Sequence, residues 1–216
     1  MDPENRNNLS MYVDANRAQS DSGISDFSIE RYGHAAVFLE PTLSTVVDVG
    51  CNTGIGASVL RTACPNAVLI GIEVVPERAQ EARGHFDVVH ESVATRLPFE
   101  DRSVDAVLCL EVIEHLTEAD AVQFIKEVRR VLRPDGRFIL TTPNSQYIKL
   151  LFLRRSVLDD PSHLSEYFPR KLSKLLRQNG FSIYQLEGTG RVSRYLGRRR
   201  HGFRLFGSFM LVGDRR

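Results

Sequence analysis

Short apolar runs alternate with amphipathic segments along most of the chain. The runs TVVDVG, AVLIGIE, FDVVH, VDAVLCLE and RFILTT have the composition of strands. The segments IGASVLRTAC and PERAQEAR, and residues from about 118 to 132, have the apolar spacing of helices. Continuous apolar runs are typical of parallel strands that are buried on both faces. The alternation predicts repeated strand–helix–strand units and an α/β fold.

Further elements flank this region. Residues 27–39 carry apolar side chains at spacings of three and four, which predicts an amphipathic helix that ends before Pro41. A turn is expected at 134–136, a helix over 169–180, and two last strands at FSIYQLE and SFMLV. Together the elements predict a doubly wound, seven-stranded, mostly parallel sheet whose last strand is antiparallel.

Composition agrees with one globular domain. The chain has 216 residues, of which 42% are hydrophobic and 25% charged. Residues 1–25 are polar and are expected to form a flexible N-terminus, which leaves 26–216 as a single domain. The absence of a long apolar run and of a signal-peptide pattern predicts a cytoplasmic protein without a transmembrane segment. Cys51, Cys64 and Cys109 form no CxxC pair, which argues against a disulfide framework or a zinc ribbon.

A glycine-rich turn follows the first predicted strand. TVVDVG continues into CNTGIG and a helix, with glycines at Gly50, Gly54 and Gly56. Glycine lets backbone N–H groups approach a ligand, because it has no side chain and tolerates positive φ. The spacing differs from the G-x-G-x-x-G of dinucleotide-binding turns, and the lysine of a phosphate-binding P-loop is missing. The pattern therefore disfavours NAD binding and nucleotide hydrolysis.

The segment VVDVGCNTG resembles motif I of the class I S-adenosylmethionine-dependent methyltransferases, D-x-G-x-G-x-G. ESVATRLPFEDRSVDAVLCLEVIEHL and LRPDGRFILTTPN resemble later segments of the ubiquinone-biosynthesis type of this family, so the likeness covers about residues 45–144. These segments in order are far more specific than any one alone. The resemblance implies a Rossmann-like fold that binds S-adenosyl-L-methionine and transfers its methyl group.

The resemblance also implies a set of cofactor contacts. Glu73 ends the second predicted strand, 23 positions after Gly50, where the family places an acid that accepts hydrogen bonds from both ribose hydroxyls. The alternative for Glu73 is a solvated acid at a strand end. The complete set of expected contacts is Asp48, Gly50, Asn52, Gly54, Glu73, Ser92, Val93 and Leu110.

Two positions depart from the family pattern. Asn52 stands where glycine is usual, and asparagine visits left-handed backbone readily, so the turn is expected to be kept. The usual Gly-Asp before LPF is missing, so the acid that would bind the adenine amine is absent or shifted to Glu91. The Ser92 hydroxyl and the Val93 backbone are expected to take over this contact. These departures leave a non-catalytic S-adenosylmethionine-binding scaffold as an alternative function.

The segment EVIEHL carries the candidate catalytic residues. Glu111, Glu114 and His115 would share one helical face at the carboxyl end of the fourth strand, where ligands of parallel sheets bind. The segment is similar to those of ubiquinone-pathway O-methyltransferases and small-RNA 2′-O-methyltransferases. In those enzymes the equivalent residues bind Mg²⁺ or a similar ion beside the accepting hydroxyl. His163, from the later loop, is the candidate fourth ligand. One alternative is that His115 or His163 serves as a general base. Another is a structural turn without an ion, in which His115 forms a hydrogen bond with the backbone and Glu114 is solvated. For His163 the alternative is a loop histidine that caps the following helix.

The last third of the chain bears on the methyl acceptor. In the family, the insertion corresponding to 145–168 covers the substrate, and here it mixes apolar and basic residues. This composition predicts a partly hydrophobic acceptor or contact with a membrane surface, the alternative being a helix that closes the core. Residues 181–216 are expected to form a C-terminal strand pair. From residue 191 onward eight arginines face one acid, which suits a phosphorylated acceptor or an anionic lipid.

These expectations combine into one functional hypothesis. The chain is expected to methylate a hydroxyl group of a small molecule, because the EVIEHL segment is similar to that of O-methyltransferases. An RNA-end 2′-O-methyltransferase is the alternative enzyme, although a net charge of +1 and the lack of an RNA-binding module disfavour nucleic acid. The sulfonium methyl group is already activated, so alignment with the acceptor accounts for most of the rate and few catalytic residues are needed.

Overall fold

The computed structural model of the protein describes residues 26–189, 193–196 and 202–216. Its centre is a seven-stranded sheet of order β3-β2-β1-β4-β5-β7-β6. The first five strands are mutually parallel, whereas β7 is antiparallel to both β5 and β6. The strands are β1 Thr45–Val49, β2 Val68–Glu73, β3 Val88–Glu91, β4 Val104–Leu110, β5 Leu132–Pro143, β6 Phe181–Thr189 and β7 Ser208–Arg215.

Helices cover both faces of the sheet. Val46 of β1 packs with α1 and α2, whereas the next residue, Val47, packs with α4 and α6, because successive side chains of a strand point to opposite faces. The helices are α1 Asp26–Ala36, α2 Ala57–Ala63, α3 Pro76–Ala82, α4 Glu118–Val131, α5 Ile148–Phe152, α6 Pro169–Gln178 and α7 Ser193–Leu196. Short 3₁₀ turns occupy Ile113–His115, Val157–Asp159 and Phe203–Leu205. The doubly wound, seven-stranded fold that the sequence predicts is confirmed.

Local side chains determine where helix α4 begins and which of its faces is buried. The Thr117 hydroxyl accepts a hydrogen bond from the Asp120 backbone N–H at 3.2 Å and so caps the helix. Acids occupy its first turn and Arg129 and Arg130 its last, which complements the helix dipole. One face is buried against the sheet: Ala121, Phe124, Ile125, Val128 and Val131.

The turn expected at 134–136 is not a separate connection before β5. It lies inside β5 as a bulge, where the register against β4 shifts between Val104 and Ala106. Leu132 already pairs with Val104 before the turn, so the strand begins earlier than its apolar run. Asp135 takes a φ of 62° there.

Other expectations fall outside the described residues. The flexible N-terminus, 1–25, and much of the arginine-rich tail, 190–192 and 197–201, belong to these parts of the chain. Within the described ranges, no helix combines the length and the apolar character that crossing a bilayer requires.

The strand order places a cleft at the middle of the sheet. From β1 the chain first builds the sheet toward β2 and β3 and then returns to place β4 on the other side of β1. Crevices form beyond the carboxyl ends of strands at such a switch point, because the connections leave in opposite directions. The residues that follow β1, β2, β3 and β4 meet there.

Candidate active site

The turn after β1 lets the backbone approach the cleft. Gly50 and Gly54 have φ angles of 77° and 91°, and a Cβ on Gly50 would lie 2.4 Å from Cγ2 of Val112. Asn52 takes a φ of 52°, so asparagine keeps the left-handed conformation of the turn. Its side chain turns onto its own loop, where Oδ1 accepts a hydrogen bond from the Thr53 N–H at 2.8 Å.

Glu73 joins the end of β2 to this turn. Its Oε1 accepts hydrogen bonds from the backbone N–H groups of Val74 (3.0 Å) and Val75 (2.9 Å), and its Oε2 accepts one from Asn52 (2.9 Å). Burial raises the pKa of Glu73, and the hydrogen bonds from Val75, Asn52 and Val74 oppose that rise. A carboxylate offers about four acceptor positions, so one remains for a ligand in the cleft.

The cleft opens to solvent beyond the carboxyl ends of β1, β2, β3 and β4, where ligands of parallel sheets bind. Five of the expected contacts line it: Gly50, Asn52, Glu73, Ser92 and Val93. The other three, Asp48, Gly54 and Leu110, are not among its lining residues; Asp48 and Leu110 are buried behind it. Lining residues that sequence reasoning missed include Arg78, Thr95, Val112 and Leu116.

The wall after β3 is built by Ser92 and its neighbours. The Ser92 hydroxyl donates a hydrogen bond to the Arg96 carbonyl oxygen at 3.0 Å, which fixes the hydroxyl and leaves its oxygen able to accept. The Ser92 N–H donates to the carbonyl oxygen of Glu73 at 3.2 Å. Glu91 forms an ion pair with Arg83 at 2.5 Å and does not line the cleft.

Helix α1 contributes residues that the sequence analysis did not single out. The Tyr32 hydroxyl donates a 2.7 Å hydrogen bond to Oδ2 of the buried Asp48, and a Cβ on Gly56 would lie 2.1 Å from the Tyr32 ring. Burial raises the pKa of Asp48 from 3.8 to about 7, although the hydrogen bond from Tyr32 lowers it. The glycine at position 56 was a sequence signal of this close packing. That Tyr32 is the residue packed against it could not be predicted from the spacing of the glycines.

A second set of residues lies at the mouth of the cleft. Glu114, His115 and His163, which we call the imidazole–carboxylate cluster, each offer one ligand atom, and these atoms lie within 4.8 Å of one another. Nδ1 of His115 contacts the Ser162 carbonyl oxygen at 2.9 Å, and Nδ1 of His163 contacts that of Val157 at 2.8 Å. A carbonyl can only accept, so both Nδ1 atoms donate, and in a neutral ring Nε2 keeps its lone pair.

Burial shapes the electrostatics of this cluster. It lowers the pKa of His115, so the ring is neutral near pH 7. Burial, and next the nearby carboxylate of Glu111, raise the pKa of Glu114. The Thr142 hydroxyl donates to Oε2 of Glu114 at 2.9 Å and fixes its orientation. Two imidazole nitrogens and one carboxylate fit a divalent cation, which would also remove the cost of burying Glu114 as an anion.

Glu111 does not share a helical face with Glu114 and His115. The Glu111 N–H still donates to the Thr141 carbonyl oxygen at 3.0 Å, as part of the sheet, so no helix begins there. Its φ is 59°, and its carboxylate lies 3.6 Å from Nε of Arg31 and 3.4 Å from the Ser208 hydroxyl. The prediction of one helical face was therefore wrong.

His163 reaches the cluster through the connection between β5 and α6. The backbone N–H groups of Leu164 and Ser165 donate to the carbonyl oxygen of Glu114 at 2.8 and 3.1 Å, which holds this connection against the 3₁₀ turn. His163 does not cap α6, whose N-cap is Phe168. The alternative of a capping histidine is therefore wrong.

The segment 145–168, which we call the cover segment, exposes apolar side chains. Helix α5 has only five residues and buries none of them. Leu151, Phe152 and Leu153 are 57, 81 and 57% exposed. The alternative of a helix that closes the core is therefore wrong for α5.

Comparison with known proteins agrees with this geometry. Residues 47–140 match the family described as a methyltransferase domain. A Mycolicibacterium smegmatis protein named "Probable S-adenosylmethionine-dependent methyltransferase" is 34% identical over 64% of this chain and 52% of its own length. The ubiquinone biosynthesis O-methyltransferase of Xanthomonas axonopodis is 26% identical over 73% of this chain and 71% of its own length.

A solved structure extends the likeness to the whole fold. A chain of the complex that holds the Trm112 methyltransferase activator of Haloferax volcanii superimposes with a TM-score of 0.70 at 22% identity, covering 96% of this chain and 97% of that one. The present chain spans little more than half the length of the mycobacterial relatives that it matches at 32 to 34% identity. The chain is therefore similar to S-adenosylmethionine-dependent methyltransferases in the matched segment 47–140, and it shares its overall fold with the solved structure.

Proposed function

We propose that this protein transfers the methyl group of S-adenosylmethionine to a hydroxyl oxygen of a small lipophilic acceptor, which a divalent cation holds at the imidazole–carboxylate cluster. The observation that carries the proposal is the position of His115, which lines the cofactor cleft and belongs to the cluster. An acceptor bound at the cluster would therefore lie beside the donor.

The residues of the cleft support the donor half of the proposal. Glu73 can accept from one ribose hydroxyl, Gly50 permits close backbone approach, and Ser92 can accept from the adenine amine. S-adenosylmethionine supplies an activated methyl group, so the protein mainly has to align donor and acceptor. In the transfer the carbon–sulfur bond breaks as the carbon–oxygen bond forms, the hydroxyl proton passes to water, and S-adenosylhomocysteine remains.

The cluster supports the acceptor half. A bound cation would lower the pKa of the accepting hydroxyl and orient its oxygen. A carboxylate together with two imidazoles suits Mn²⁺ or Fe²⁺ better than Mg²⁺, which prefers a shell of oxygen ligands. The carbonyl oxygens of Ser162 and Val157 hold the two rings with Nε2 available, and Thr142 holds Glu114.

The cover segment supports a lipophilic acceptor. Exposed apolar side chains of α5 can cover an apolar molecule or contact the membrane in which it dissolves. The name of the Xanthomonas relative, a ubiquinone biosynthesis O-methyltransferase, points to the same acceptor class and to oxygen as the accepting atom.

Two measurements test the proposal. Calorimetric titration with S-adenosylhomocysteine and with Mn²⁺ should show one site for each. Methyl transfer should then be measured on a panel of lipophilic phenols, with amines and an RNA 3′ end for comparison. His163→Ala is expected to retain S-adenosylhomocysteine binding, to lose Mn²⁺ binding, and to lower kcat/KM about 100-fold or more. His90→Gln, a change at another half-buried histidine on β3, should leave all three unchanged.

Each failure has a distinct meaning. Methylation only of amines or only of RNA would overturn the acceptor class. Normal cofactor binding without turnover on any acceptor would favour the non-catalytic scaffold. If the wild type keeps full activity in the presence of a chelator and the His163→Ala variant is also active, the role of the cation is overturned.

A further inference from the structure

Four basic residues lie at the end of the sheet opposite the active site, where the parallel strands begin. Lys126 and Arg129 lie on the last turns of α4, Arg102 precedes β4, and Arg215 ends β7. Lys126 and Arg129 line an open groove together with 178–180, the end of α6 and the residues after it. We call these four residues and this groove the basic pocket.

Contacts with backbone groups tie three of these residues to the end of α4 and to Gly180. The Arg102 N–H donates to the Arg130 carbonyl oxygen at 2.9 Å, and Nη1 of Arg215 donates to the carbonyl oxygens of Arg130 and Leu132. The Arg129 guanidinium lies over Gly180, where a Cβ would be 2.4 Å from its Nε. The Arg215 side chain and the Arg102 backbone are thereby attached to the end of α4, which carries Arg129.

The positive charges are not neutralised by neighbouring acids. Among the described residues, no ion pair involves Arg102, Lys126, Arg129 or Arg215. The acid beside them, Asp101, binds Arg130 at 2.8 Å. Burial, and then the charges of Arg102 and Arg129, lower the pKa of Arg215, which shows that like charges lie close together. Such an arrangement is repulsive unless an anion occupies it.

We infer that the basic pocket binds a phosphate group of a compact phosphorylated ligand, at a site separate from the cofactor cleft. Guanidinium groups bind phosphate oxygens in pairs of parallel hydrogen bonds, and the exposed Arg102 and Arg129 have their donors available. The exposed amide of Gln178 adds a donor at the same groove. No exposed large apolar side chain of the described residues lies on α4 or α6, so the chemistry is that of an anion and not of a lipid tail.

The test uses inorganic pyrophosphate as the probe. A chelator is present, so that no metal ion contributes to pyrophosphate binding. Calorimetry on the whole protein should show saturable one-to-one binding. The double variant Arg102→Gln/Arg129→Gln is expected to weaken binding about tenfold or more, since it removes two charged donors of the site. Arg170→Gln, an exposed arginine at the start of α6, should change the affinity less than about twofold.

Two controls keep the outcome decisive. S-adenosylhomocysteine affinity and thermal stability should be unchanged in the double variant, which shows that the fold and the cofactor site are intact. Equal pyrophosphate binding by wild type and double variant would overturn the inference. Binding of a short single-stranded RNA without binding of pyrophosphate would also overturn it, in favour of an extended polyanion surface.

Discussion

At the scale of single residues, Glu73 has two tasks, and one substitution removes both. It closes the turn after β1 through the Asn52 N–H, and it offers an acceptor to the cleft. Glu73→Ala should weaken S-adenosylhomocysteine binding by about 1 to 3 kcal/mol, the cost of losing hydrogen bonds to a charged acceptor. Calorimetric titration of the folded variant measures this change.

The matched control for Glu73 is Glu91→Ala. Glu91 ends the neighbouring strand β3, but it pairs with Arg83 on the surface and does not line the cleft. Its removal should leave the affinity unchanged. Unaltered binding by a folded Glu73→Ala variant would contradict the role given to Glu73.

Asp48 should make the stability of the protein depend on pH. Its pKa is about 7 in the folded protein and 3.8 ordinarily, so the folded state binds more protons between these values. The stabilisation is complete below about pH 4 and is lost as the pH rises through about 7. Asp48→Asn removes this titration, so the variant should gain stability relative to wild type from pH 5 to pH 8. Urea unfolding of both proteins at the two pH values measures it, and a difference that does not change with pH would refute the assignment.

Residue-level prediction from sequence succeeded where one residue determines its own backbone. The left-handed Asn52 follows from the conformational preference of asparagine. The hydrogen bond between Tyr32 and Asp48 could not be foreseen, because it depends on how α1 docks on the turn. The spacing of apolar residues reports which face of a helix is buried, but not which partner it meets.

At the scale of elements, the cover segment has a testable role. Phe152 is 81% exposed, and a lipophilic acceptor under α5 would shield it from water. Phe152→Ser should raise KM for such an acceptor about fivefold, a loss near 1 kcal/mol of apolar burial, without changing S-adenosylhomocysteine affinity. Steady-state kinetics with a lipophilic phenol gives the comparison.

The control for the cover segment is Val68→Ser. Val68 begins β2, at the end of the sheet away from the cleft, and is 45% exposed, so its substitution should leave KM unchanged. A normal KM in the Phe152→Ser variant would mean that α5 does not contact the acceptor.

Element boundaries show why part of the site escaped prediction. The order Glu111, Glu114, His115 suited a helix, but pairing of Glu111 with β5 delays the turn. Pairing between strands joins residues that are far apart in the sequence, so a short segment does not reveal it. His163 was placed near this site by its likeness to a family, and the structure brings it there through backbone hydrogen bonds to Glu114.

At the scale of the whole molecule, the fold was predictable because the apolar runs of β1, β2, β4 and β5 are buried on both faces. Buried parallel strands require helices on both sides, and that requirement fixes the layer architecture. The basic pocket was not predictable, because Arg102, Arg129 and Arg215 are far apart in sequence and meet only when β7 closes beside β5.

The position of β7 also constrains how the protein can be made. Among the described strands, β6 pairs with β7 alone, and β7 follows β6 in the chain. During synthesis on the ribosome, both edges of β6 therefore stay unpaired until β7 has emerged. The edge of β5 that pairs with β7 is also unpaired during this time. Open edges of apolar strands are sites of aggregation. Slow translation between β6 and β7 should therefore lower the yield of folded protein.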